Sequence, residues 1–101
     1  MIVGVLHVDL HLPFAQSLKD KRSVLKSLKD QLHNRFHIAV AEDDANVKWQ
    51  RAALGIAALG GDRVTVERCF QQIVEWLDTN RFIELIRVEQ EWRGEGGGGG
   101  G

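Results

Sequence analysis

An α+β fold, four antiparallel strands with two helices on one face, is what the chain predicts, and three observations predict it. Apolar residues alternate with polar ones over residues 1–12 and again over 82–92, the period of a half-buried strand. Over 17–36 and 62–79 they recur instead every three or four residues, the period of a helix that buries one stripe. Between the two helical segments lie two shorter apolar runs, 37–43 and 49–59, separated by polar Asp44-Ala45-Asn46, which reads as a turn.

Taken in order, residues 1–12 form a strand with Ile2, Leu6, Val8, Leu10 and Leu12 on one face. Val3, Val5, His7, Asp9 and His11 lie on the other, and Pro13 ends the strand. Ser17 stands three residues before Asp20, close to a capping box, and opens a helix to Phe36. Leu18, Leu25, Leu28, Leu32 and Phe36 are its expected buried stripe. The second strand is expected to send Ile38 and Val40 to the core and His37, Ala39, Ala41 and Asp43 to the opposite face. The third strand is alanine-rich and closes at Gly60-Gly61. Asp62 caps a second helix with Val66, Cys69, Phe70, Ile73 and Leu77 buried, and Asn80 stops it. In the last strand Ile86 and Val88 are expected to face the core, against Leu85, Arg87 and Glu89. The order β-α-β-β-α-β is the ferredoxin-like split arrangement, with the first strand central, beside the third and fourth.

The chain has 101 residues, 44% apolar and 27% charged, which suits one small domain over residues 1–93. Residues 94–101, a glycine tail broken only by Glu95, have almost no side chains to bury and are expected to be disordered. A single cysteine, Cys69, excludes an intrachain disulfide and a cysteine-based zinc site, and is expected to be a small buried hydrophobe. The longest apolar run, Ala52 to Leu59, is too short to span a bilayer, and a cytoplasmic location is expected. No glycine loop that could cradle a phosphate is present, and no cofactor is expected.

The net charge of −1 hides a segregation: residues 17–36 carry +4 and the rest of the chain −5. Lys19, Arg22, Lys26, Lys29 and His33 form a row at helical spacing beside the buried stripe, while Lys21 falls nearer the stripe and must snorkel. Either the row is solvated and paired with Glu67, Glu75 and Asp78 of the second helix, or it meets phosphates or an acidic protein. Trp49, Gln50 and Arg51 open the third strand, where an aromatic beside an arginine can hold a nucleobase, or the tryptophan simply closes the core. Together Lys19, Lys21, Arg22, Lys26, Lys29 and Arg51 are the candidate nucleic-acid-binding residues.

Two other surfaces carry expectations. Val3, Val5, Ala39, Ala41 and Leu85 would leave an apolar sheet face uncovered by helices, which predicts a homodimer through that face. His7, Asp9 and His11 project to one side, about 6.5–7 Å apart by strand rise, too wide to share one ion unaided. A metal-dependent phosphodiesterase using Asp9 is therefore the least favoured reading, and no bound metal is expected. The acidic run Glu42-Asp43-Asp44 is expected to be solvated.

Three segments, SLKDKRSVLKSLKD (17–30), VAE (40–42) and WQRAALGIA (49–57), resemble the YlxP-like bacterial proteins, a family whose function is unknown. The resemblance reaches to about Trp92, and Asp43 departs from it, since an apolar residue is expected there. It implies a ferredoxin-like sandwich and a gene setting close to translation-initiation and ribosome-maturation factors. It supplies no catalytic residues, and it makes RNA or ribosome association the leading expectation.

Overall fold

A computed structural model describes residues 1–43 and 48–94, in the order β1 (Ile2–His11), α1 (Leu18–Phe36), β2 (Ala39–Glu42), β3 (Arg51–Gly60), α2 (Arg63–Asp78) and β4 (Glu84–Gly94). The four strands make one antiparallel sheet in the order β2-β3-β1-β4, so β1 is central as expected. This is the ferredoxin-like α+β sandwich. Residues 44–46, expected as a turn, lie outside the described residues, as does all of the glycine tail beyond Gly94. Gly94 itself belongs to β4, where it pairs with Ile2.

Each helix begins where a short acceptor can satisfy a free backbone donor. Ser17 has extended backbone (φ −162°), and its Oγ accepts from the Asp20 N–H at 3.1 Å. The reciprocal half of the box is displaced by one residue, because Asp20 Oδ2 accepts from the Gln16 N–H at 2.9 Å. Asp62 caps α2 in the same way, accepting from the Thr65 N–H at 2.8 Å.

Leu25, Leu28 and Leu32 of α1 and Val66, Phe70, Ile73 and Leu77 of α2 bury against Ile2, Leu6, Val8 and Leu10 of β1 and Leu54 and Ile56 of β3. Burying each such side chain contributes about 1.5–3 kcal/mol, so this layer carries the fold.

Five expectations are corrected. Leu18 is 44% exposed, because it sits in the first turn before α1 reaches the sheet. His37 is not on the sheet: it ends α1 in the left-handed region (φ 53°, ψ 47°), its N–H bonded to the His33 oxygen, and β2 starts at Ala39. Trp49 lies in a turn before β3 and is 47% exposed, so it does not close the core.

Leu85 and Ile86 exchange roles. The β1–β4 register slips between Asp9 and Leu10, placing Leu85 opposite Leu10 and leaving Ile86 unmatched. An extra residue of this kind reverses the alternation beyond it. Leu85 packs against the core and drops out of the uncovered face, whereas Ile86 is 46% exposed.

Candidate functional site

The row on α1 divides into engaged and unengaged cations. Lys29 Nζ donates to Glu42 Oε2 of β2, so Glu42 is paired rather than merely solvated. His33 Nδ1 lies 3.0 Å from the Ile38 oxygen, at the helix end. Lys21 reaches out of the apolar stripe, and its Nζ donates to the Lys48 oxygen at 3.1 Å. Among the described residues, no hydrogen bond or ion pair engages the side chains of Lys19, Arg22 or Lys26. The pairing with α2, one of the two alternatives for the row, is not found among the described residues: Glu67 binds Arg63 at 2.6 Å, and Glu75 accepts from Gln71 at 3.4 Å.

Two of these contacts fix where the row lies. Lys29–Glu42 and Lys21–Lys48 hold α1 along the side of the sheet where β2 and β3 meet. The turn before β3 is tied down there as well. Leu12 N–H donates to the Gln50 oxygen at 2.9 Å, and Gln50 Nε2 lies 3.5 Å from the Ala15 oxygen. Against this turn is a groove of about 580 Å³ lined by His11, Lys48, Trp49, Gln50 and Arg51. The structure thus brings Lys21 together with the Trp49–Arg51 turn, although 27 residues separate Lys21 from Lys48 in the chain.

The sheet face opposite the helices has two unlike halves. Val3 and Val5 of β1, Ala39 and Ala41 of β2, and Ala53, Gly55, Ala57 and Leu59 of β3 make a continuous apolar area. The contribution of β3 was missed at the sequence level, although burial of Ala52, Leu54 and Ile56 follows the same alternation that turns its odd-numbered residues outward. The β4 side is ionic. His7 Nε2 lies 3.1 Å from Glu91 Oε1, Arg93 lies 2.6 Å from Glu91, and Arg87 lies 2.6 Å from Glu89. The hydrogen bond from His7, with that of Arg93 and its charge, holds the Glu91 carboxyl below its ordinary pKa.

A groove of about 420 Å³ runs along this ionic side past His7, Asp9, Asp43 and Arg87. His11 turns away to Glu84 at 3.1 Å, so His7, Asp9 and His11 do not converge. Among the described residues, no group of three or more His, Cys, Asp or Glu side chains could hold a metal ion. Cys69 is partly buried, and burial pushes its thiol pKa up, the opposite of an activated nucleophile.

Fold and site together define a small ferredoxin-like α+β domain with one open sheet face and a basic helix row in which Lys19, Arg22 and Lys26 have no partner among the described residues. A family described as "Protein of unknown function (DUF503)" matches residues 3–90. The chain is also 32% identical over 91 residues to the uncharacterized protein YlxP of Bacillus subtilis (strain 168), covering 90% of this chain and 99% of that protein. The chain belongs to this family of unknown function. Among the described residues, no helix is long and apolar enough to cross a membrane.

Proposed function

We propose that the protein is a non-catalytic cytoplasmic module that binds RNA or a ribonucleoprotein through phosphate contacts on α1. Lys19, Arg22 and Lys26 carry that reading: three neighbouring cations project from one helix row with no acidic partner among the described residues. Lys29 joins them only by leaving Glu42, and Lys21 serves mainly to hold the Lys48–Arg51 segment against the helix. Arg51 and the exposed face of Trp49 lie at that segment, where a cation and a stacking surface suit an unpaired nucleotide.

Three phosphates neutralised on a single strand, at about 0.7 each, give a logarithmic salt slope near two. Isolated binding is accordingly weak and seen best at low salt. The test is titration of labelled single-stranded RNA into wild type and the Lys19→Gln, Arg22→Gln, Lys26→Gln triple variant. The slope should fall toward zero for every RNA sequence alike, while circular dichroism stays unchanged because glutamine is a good helix former. Equal binding by the two proteins at low salt would end the reading.

A second reading, a homodimer acting through the open sheet face, is favoured by the apolar area over Val3, Val5, Ala39 and Ala41.

A further inference from the structure

We propose that two copies of the chain pack their open sheet faces about a two-fold axis along the row Ala39, Ala57, Val5 and Glu91. These four residues are register partners across β2, β3, β1 and β4, so they form one line perpendicular to the strands. An isologous contact needs a surface complementary to itself about such a line.

The complementarity is visible on two strands at once. On β3, Leu59 is 66% exposed, whereas Gly55 leaves open space: a Cβ built there meets nothing within 4 Å. Leu59 and Gly55 stand two residues either side of Ala57 and point to the same face. Rotation about the row sets the Leu59 of each copy over the Gly55 of the other. On β4, Arg93 and Glu89 flank Glu91 in the same way, and the same rotation sets each Arg93 against the other copy's Glu89. Within one chain Arg93 already pairs with Glu91 and Glu89 with Arg87, so the dimer joins four exposed pairs into two four-charge chains. These meet where the two Glu91 carboxylates, each held by its own Arg93 and His7, face each other across the axis. On β1 the rotation brings Val3 over the other copy's His7, beside Glu91.

Aligned sheets cross at about 30°, which preserves the match best near the axis, where the small residues Ala39, Ala57 and Gly55 allow close approach. Four strands about 4.8 Å apart and about eight residues of 3.3 Å rise give on the order of 500 Å² of flat area per copy. That lies below the roughly 800 Å² per partner of a standard stable interface. The dimer is therefore expected to form in the micromolar range rather than as an obligate assembly.

Sedimentation equilibrium on the full chain tests this at tens to hundreds of micromolar. The wild type should reach about twice the 11.3 kDa chain mass. Leu59→Asp should give a monomer whose melting curve matches that of the wild type at concentrations low enough to keep both monomeric, since Leu59 contributes little to the core. Arg93→Glu and Glu89→Arg should each weaken the dimer roughly three- to tenfold by opposing like charges across the interface, and their combination should restore it. A one-chain mass throughout would overturn the proposal and leave the face to some other partner. A dimer surviving Leu59→Asp would place the interface elsewhere and overturn it too. So would charge-swap variants that weaken the dimer singly and fail to restore it together. None of these variants touches the α1 cations, so the outcome is independent of RNA binding.

Discussion

Gly4 stands opposite Trp92 in the β1–β4 pairing, and a Cβ at Gly4 would lie 2.9 Å from that ring and 2.7 Å from the ring of Phe70. The two rings are themselves in contact, centroids 5.8 Å apart, beneath the Arg63 guanidinium 4.4 Å over the indole. Gly4 is the space in which β1, β4 and α2 close on one another. Gly4→Ala should therefore destabilise the fold by about 1–3 kcal/mol through overpacking, read as a lower denaturation midpoint at unchanged slope. Phe70→Leu in the same chain should recover part of that loss, which simple addition of two damaging changes would not do.

Glu42 restrains one cation of the α1 row. Replacing it as Glu42→Gln keeps the size and removes the charge that holds Lys29. Stability should change by less than about 1 kcal/mol, since the pair is partly exposed. RNA affinity at low salt should rise, and the salt slope should steepen by about 0.7 as a fourth cation becomes available. A fall in affinity would mean that the pair positions the row instead of competing with RNA for it.

The register slip at Asp9 makes neighbouring leucine and isoleucine unequal. Leu85, packed against the core, should cost about 2 kcal/mol when cut to alanine. Ile86, outside the matched register and well exposed, should cost no more than about 0.5 kcal/mol. Equal losses from the two variants, compared by urea denaturation, would argue against the bulge.

That same pair marks where the sequence stops being readable. Strict alternation places β1 correctly because its pairing with β3 runs unbroken from Ile2 to His11, and both helix starts are announced by Ser17 and Asp62. The bulge has no local signal: Glu84-Leu85-Ile86-Arg87 alternates poorly under either phase, and only pairing with β1 selects one. His37 is unreadable for a different reason: a left-handed helix cap is usually announced by Gly or Asn, and here a histidine occupies it. At the site, the spacing of Lys19, Arg22 and Lys26 shows the row, but not which cations are occupied. Lys29 finds Glu42 and Lys21 finds Lys48 across stretches of chain that the helical period does not describe.

The α2 cap carries a pH dependence of definite sign. Asp62 accepts from the Thr65 N–H, and this bond, followed by that of the Thr65 hydroxyl and the charge of Arg68, lowers its pKa below the ordinary 3.8. A carboxyl whose folded pKa is depressed binds its proton more readily in the unfolded chain. Its contribution is therefore complete above pH 3.8 and is lost as pH falls through the lower folded value. Asp62→Asn retains an acceptor at the cap but has no proton to gain. At neutral pH the variant should melt somewhat below wild type, because it lacks the favourable negative charge at the helix start. On acidification below 3.8 the two melting temperatures should converge. Glu91 also has a lowered pKa and contributes to the acid limb of both proteins, so only the difference between them reports on Asp62. A difference that stays constant from neutral to strongly acidic pH would show that the Asp62 carboxylate charge does not stabilise α2.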